Sequence, residues 1–212
     1  MYKHYVKRLI DLFLSLIGLP IFLVIFIIVA PAIWLDDHGP VFYNATRLGK
    51  NGKLYKMFKF RSMKVNAPDL RNSDGSTYNA DDDPRVTRIG RFLRKTSLDE
   101  VPQFLNVLIG DMSLIGPRPH AVSKGFKYDN LSPEKKHRLL VKPGITGYNQ
   151  AYYRNSVSAD EKIANDNYYV DHISFLLDLK ILLHTVISVL KRENINTVQS
   201  TSKEDKRETV KK

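Results

Sequence analysis

The hydropathy pattern divides the chain unevenly. From Leu12 to Leu35 there are 24 consecutive residues without a charge, broken in apolar character only by Ser15, Gly18, Pro20 and Pro31. At about 1.5 Å per residue this run reaches about 36 Å as a helix, enough for a hydrocarbon core of about 30 Å. A secretory signal has a shorter apolar core, about 7–15 residues, followed by a small-residue cleavage site. "LDDHGPVFYN" offers none. Pro20 lacks an N–H and frees the carbonyl of Leu16, which needs a partner at membrane depth. Lys3, Lys7 and Arg8 precede the run, and Arg47, Lys50, Lys53 and Lys56 follow it. Lys/Arg excess marks cytoplasmic flanks, and both flanks carry it. A re-entrant helix broken at Pro20, occupying residues 1–37, satisfies both flanks. A straight anchor, the alternative, leaves one on the wrong side.

Shorter patterns follow. Val41 to Tyr43 and Leu54 to Phe60 read as strands of a small hairpin, with Gly39-Pro40 and Asn51-Gly52 as turns. Residues 66–84 form a polar loop whose Asp81, Asp82 and Asp83 read as a solvated run rather than a metal site. Val86 to Lys95 is predicted helical, with Arg85, Arg88, Arg91 and Arg94 at intervals of three, a basic amphipathic stretch suited to anionic headgroups. Val101, Phe104, Leu105 and Leu108 fit the i, i+3, i+4, i+7 spacing of a helix over Glu100 to Ile109. "GDMSLIGPRPH" reads as a turn, a short strand and a stiff proline loop, and "KPGITGY" as a glycine-punctuated loop. Ser132 caps a helix to Leu140, with Pro133 at its first position. Ala159 to Val170 and Ser174 to Lys191 are further helices. Asp178 and Lys180 inside the last make it a core or membrane-surface helix rather than a second span. The fold class is therefore α+β and mostly helical. A compact domain over 38–191, with a small β-hairpin and interfacial amphipathic helices, is followed by a polar tail, 192–212, expected to be disordered.

The formal net charge of +11 implies an anionic partner: nucleic acid, lipid headgroups or a phosphorylated substrate. No recognition-helix, RRM or zinc-finger pattern supports nucleic acid. Cysteine is absent, which excludes a disulfide framework and thiolate metal ligation.

Against this basic background stands "SLDEVPQF", with Asp99 and Glu100 adjacent. Taken alone the pair reads as helix capping. Ser97-x-x-Glu100 matches a capping box, but Pro102 favours Asp99 as the cap, which keeps the proline in the first turn. Nearby, Arg118 lies between Pro117 and Pro119, where a stiff backbone presents a guanidinium suited to gripping phosphate through two hydrogen bonds. Adjacent carboxylates are also able to hold Mg2+ through oxygen while one attacks phosphorus.

"KFRSM" (59–63), "RKTSLDEVPQFLNVLIGDMSLIGPRP" (94–119), "KPGITGYNQ" (142–150) and "YYVDHISFLLDLKIL" (168–182) resemble the bacterial monotopic polyprenyl-phosphate phosphoglycosyl transferases, in their small class. Within the family, "ISFLLDLK" is similar to the diacetylbacillosamine-phosphate transferase of N-linked glycosylation. The resemblance spans about residues 3 to 192. It implies transfer of a sugar 1-phosphate from a UDP-sugar to polyprenyl (undecaprenyl) phosphate, releasing UMP through a phosphosugar intermediate on Asp99. It further implies Glu100 as partner, Mg2+ held by Asp99 and Glu100, and phosphate binding by Arg118 with Lys59 and Arg94. Membrane lipids are implied as neighbours, with the domain on the cytoplasmic face of the bacterial inner membrane. Three departures stand out. Leu19 replaces the usual Ser before Pro20, the apolar arm before that proline is about one helical turn short, and Tyr148 replaces a common Trp. Two rival readings remain: a Mg2+-dependent lipid-phosphate phosphohydrolase and a non-enzymatic, membrane-tethered basic module.

Overall fold

The computed structural model describes residues 1–70, 78, 80, 83–122, 126–153 and 156–191. The sequence-assigned tail and the candidate loop residues Asp81 and Asp82 lie outside them. After a short turn at Tyr2–Val6, helix α1 runs from Lys7 to Asp37 with Pro20 and Pro31 inside it. It belongs to the one element long and apolar enough to cross a membrane among the described residues. Its faces differ. Asp11, Ser15, Gly18, Phe22, Val29 and Ile33 are buried, whereas Phe13, Ile17, Val24 and Ile28 point outward.

The buried face of α1 is attached to the rest of the chain at both ends. Arg8 donates to the carbonyls of Val107 (2.6 Å) and Leu108 (3.1 Å), and Asp11 accepts from the Leu114 N–H at 3.0 Å. At the other end Asp36 accepts from the Ile89 N–H at 3.1 Å, and Arg61 pairs with Asp37. Between these points Phe22, Phe26, Phe42 and Phe60 stack, with neighbouring centroids 5.5–6.4 Å apart.

Strands β1 (Ala45–Leu48) and β2 (Leu54–Met57) form the expected hairpin around Asn51-Gly52, where both residues take positive φ. The first predicted strand is displaced: Val41 to Tyr43 contributes only an isolated bridge, Phe42 to Phe60, because Phe42 is drawn into the aromatic stack under α1.

Helix α2 (Arg88–Thr96) begins two residues later than predicted, where Thr87 caps it by accepting from the Gly90 N–H at 2.9 Å. Gly90 lies so close to residue 62 that a Cβ there would come within 2.0 Å of the Ser62 carbonyl oxygen. Arg85 does not join a basic face. It is buried against Asp83, with Nη2 2.7 Å from Oδ2.

The helix predicted to begin at Asp99 is also corrected. A 3-10 turn, Leu98–Glu100, comes first, and α3 covers only Gln103–Ile109 behind Pro102. Asp99 makes no cap hydrogen bond, because Ser97 at φ 58° ends α2 and turns the chain before α3 starts. The most buried positions of α3 are Gln103, Asn106 and Val107 rather than the all-apolar stripe expected.

Strand β4 (His120–Ala121) pairs with β1 to complete the order β2-β1-β4, while β3 (Ser113–Ile115) pairs in parallel with β5 (Gly144–Thr146). "KPGITGY" therefore contains a strand and enters α5 (Tyr148–Tyr152) rather than forming a loop throughout. Ser132 caps α4 (Pro133–His137) as predicted, and α6 (Ala159–Asp171) starts in a Ser158/Glu161 capping box. Helix α7 (Phe175–Lys191) buries Asp178, whose carboxylate receives the Tyr2 and Tyr169 hydroxyls and the Lys7 ammonium at 2.6–2.8 Å. Tyr55, Val107, Met112, Ile115, Tyr169 and Ile181 form the core beneath these elements.

Candidate active site

Two local devices bring "KFRSM" against the acidic pair. Asn106, fully buried on α3, accepts from the Phe58 N–H and donates to the Lys56 carbonyl, both at 2.8 Å. Two residues further, the Phe60 N–H donates to the Asp99 carbonyl at 3.0 Å. Lys59 is held between these two clamps. Its ammonium lies 2.7 Å from Asp99 Oδ2 and 3.6 Å from Glu100 Oε1.

Arg118 arrives from the other side, on the segment between β3 and β4, with Nη2 3.3 Å from Glu100 Oε1. Its backbone is fixed by more than its flanking prolines. Arg138 donates to the Arg118 carbonyl at 2.9 Å, contacts His120 Nε2 and pairs with buried Asp166, which in turn accepts from Asn149 at 2.7 Å. Gly116, just before the PRP segment, packs backbone to backbone with Gly144, where a Cβ would meet the Gly116 nitrogen at 2.1 Å.

The two carboxylates differ in setting. The Asp99 side chain is 5 % exposed and that of Glu100 23 %. Burial pushes the Asp99 carboxyl above its ordinary range; Lys59 opposes this, Glu100 adds to it and Arg94 opposes it from behind. Burial pushes Glu100 upward as well, but Arg118 and then Lys59 outweigh it and hold this carboxyl low. The pair thus combines a Glu100 carboxyl held low by its cations with an Asp99 carboxyl that burial raises against the pull of Lys59.

All the predicted site residues except Pro20 meet around this point, in different roles. Asp99, Glu100, Lys59 and Arg118 converge. Arg94 stands behind the dyad, with Nε donating to Ser62 at 3.0 Å. Pro20 is exposed on the outer face of α1. A cleft of about 60 Å³ opens beside Lys59, Glu100 and Arg118, and Arg47 and Gln103 also line it. Neither Arg47 nor Gln103, nor the clamps Asn106 and Arg138, stood out in the sequence. Arg47 reads there as a basic flank of the apolar run, and the position of Asn106 among apolar residues on a short helix is the signal that marks it.

Asp99 and Glu100 fit Mg2+ chemically, since that ion takes one or two carboxylates and completes its shell with water and substrate phosphate. Among the described residues no group of three or more His, Cys, Asp or Glu side chains offers an all-protein site. A buried carboxyl with an acidic neighbour, next to a small cleft lined by Arg47, Lys59 and Arg118, suits chemistry at a phosphorus atom.

The family model described as bacterial sugar transferase matches residues 2–192. The exopolysaccharide production protein PSS of Rhizobium leguminosarum bv. phaseoli is 42% identical over 194 residues, covering 88% of this chain and 96% of that protein. The UDP-glucose:undecaprenyl-phosphate glucose-1-phosphate transferase of Escherichia coli (strain K12) is 42% identical over 185 residues, covering 85% of this chain and 39% of that protein. The UDP-N-acetylgalactosamine-undecaprenyl-phosphate N-acetylgalactosaminephosphotransferase of Aeromonas hydrophila is 38% identical over 189 residues, covering 88% and 44%. The chain thus spans less than half the length of the latter two relatives. With the dyad, the PRP arginine and a family match over nearly the whole described chain in agreement, the protein belongs to the bacterial sugar transferases, the polyprenyl-phosphate phosphoglycosyl transferase family that its motifs resemble.

Proposed function

We propose that the protein transfers a sugar 1-phosphate from a UDP-sugar to polyprenyl phosphate by way of a covalent intermediate on Asp99. The observation that carries this reading is the Lys59–Asp99 contact of 2.7 Å beside the Glu100–Arg118 pair. It opposes the protonation that burial favours at Asp99 and sets that carboxyl among cations that suit a phosphoryl group.

In the first half-reaction an Asp99 carboxylate oxygen attacks the sugar-proximal phosphorus. The bond from that phosphorus to the bridging oxygen breaks, and UMP leaves with the electron pair. In the second, an oxygen of the polyprenyl phosphate attacks the same phosphorus and Asp99 departs as carboxylate. Lys59 stabilises Asp99 as anion before attack and after release. Arg118 neutralises charge on the transferring group, and Glu100 orients Arg118 and Lys59. Electrostatic stabilisation of this kind is the main service a protein gives phosphoryl transfer. Mg2+, held by Asp99 and Glu100, would supply further neutralisation of phosphate charge.

The acceptor is a membrane lipid, and α1 fits that requirement. A helix crossing straight through a bilayer would carry Arg8 and Asp11 away from the domain, yet both are bonded to it, as are Asp36 and Asp37. This supports a helix that enters and leaves the cytoplasmic leaflet on the domain's own side, with the outward residues of α1 in lipid. The exposed Leu176, Leu183 and Ile187 of α7 add a second apolar surface. On this reading the domain faces the cytoplasm at the inner membrane. By their names the relatives act on different sugars, so the donor is assigned here only as a UDP-sugar.

The test is incubation of the detergent-purified chain with a panel of UDP-sugars, Mg2+ and polyprenyl phosphate. UMP and a polyprenyl-diphosphate-linked sugar are expected, both lost in Asp99→Ala. Inorganic phosphate released from the lipid, without UMP, would replace this reading with a phosphohydrolase.

A further inference from the structure

Arg47 is a cation of the cleft that forms no ion pair with either carboxylate of the dyad. It sits on β1, the central strand of the three, opposite Tyr55 on β2 and Ala121 on β4, so its backbone is paired on both sides. Its side chain lines the cleft with Lys59, Glu100 and Arg118. Lys59 is engaged with both carboxylates and Arg118 with Glu100. The Arg47 side chain makes neither an ion pair nor a hydrogen bond with any described residue, and its Nε is buried without an acceptor. The hydroxyl of its cross-strand neighbour Tyr55 is buried and unpartnered too. Burial weighs against the Arg47 charge; Tyr43 offsets part of this, Arg118 adds to it, and Tyr55 and Glu100 offset a little more without contact.

Holding an unpaired guanidinium beside another cation is unfavourable unless an anion joins them. The planar fork of a half-buried arginine that lines a cleft matches two oxygens of one phosphate. Because Arg47 contacts neither carboxylate, it is set back from the attacking oxygen. The anion it suits is therefore not the phosphate being transferred.

We propose that Arg47 binds the donor, gripping the phosphate that stays with uridine while Arg118 and the dyad engage the phosphate that moves. This rests on the phosphoglycosyl transfer reading above. A phosphate oxygen of the lipid acceptor has the same chemistry, and the experiment separates the two sources.

UMP binding to the chain in detergent is measured by titration calorimetry for wild type, Arg47→Gln and Arg47→Lys, alongside KM for donor and acceptor. Removing one charge-assisted contact lowers UMP affinity about tenfold or more. The donor KM rises more than kcat falls, the acceptor KM stays put, and Arg47→Lys recovers part of the loss. The ligand-free unfolding midpoint, read in parallel, separates a binding defect from a folding one. If Arg47→Gln does not fold, Arg47→Lys alone must bind UMP several-fold more weakly, since lysine lacks the fork. UMP affinity within twofold of wild type, or a change confined to the acceptor KM, overturns the assignment. A wild-type chain that neither binds nor releases UMP defeats the transfer reading itself, whereas an active wild type with a normal Arg47→Gln defeats only this inference.

Discussion

The Lys59 ammonium lies 2.7 Å from Asp99 Oδ2, on a segment fixed by Asn106 on one side and by the Asp99 carbonyl on the other. The cation and the carboxylate it serves are thereby locked into one piece of backbone. Burial alone would favour a protonated, unreactive Asp99. Lys59 is the nearest opposing charge.

Replacing Lys59 with Met removes that opposition, so the Asp99 carboxyl titrates higher. The acid limb of the pH profile for UMP release moves to higher pH, and the rate at neutral pH falls by about 10²-fold or more, the usual scale for one preorganised charge contact. The check is kcat/KM against pH for wild type and Lys59→Met. Limbs that coincide would show that Lys59 does not set the charge on Asp99.

The support of the Arg118 loop makes a stability prediction. His120 is held down to about 4, by burial first and then by Arg138. In the unfolded chain it titrates near 6.5, so below that pH the unfolded state binds the extra proton and gains on the folded one. Stability contributed at this site is complete above about pH 6.5 and declines as pH falls toward 4. Denaturant midpoints across that window should fall less steeply in His120→Gln, by on the order of 2 kcal/mol in accumulated difference. Removing Arg138 instead leaves Asp166 buried and unpaired, and Arg138→Met should cost about 3–5 kcal/mol at neutral pH. Arg138→Met/Asp166→Asn should recover much of that in the same unfolding assay.

The dyad and the PRP arginine are legible in the sequence because each is a short local motif, and the apolar run because its length and flanks carry the message. What surrounds them is not local. Asn106 acts through two backbone groups some 50 residues away, and Arg138 through a carbonyl 20 residues back. Neither interaction leaves a spacing to read. Asp99 looks like a helix cap because Pro102 can follow one, but the positive φ of Ser97 decides otherwise. Arg47 reads as a topogenic flank until pairing with β2 and β4 turns it toward the cleft. "GITG" reads as loop because its strand pairs in parallel with β3, a partner about 30 residues earlier.

The attachment of α1 at both ends makes a topological prediction. The chain contains no cysteine, so single Lys3→Cys and Lys50→Cys variants report without background. In inverted inner-membrane vesicles both positions should react with a membrane-impermeant maleimide, and in right-side-out vesicles neither should. Opposite accessibility of the two would establish a straight span and remove the proposed dip.

The central assignment, a sugar phosphate carried on Asp99, is tested most directly by intact-mass and peptide-mass measurement after rapid acid quench. The chain is incubated with its UDP-sugar and Mg2+ without polyprenyl phosphate. The account predicts a mass gain of one sugar phosphate, localised to Asp99 and discharged when acceptor is added. Turnover with no adduct on Asp99, together with UMP release undiminished in Asp99→Ala, would contradict it.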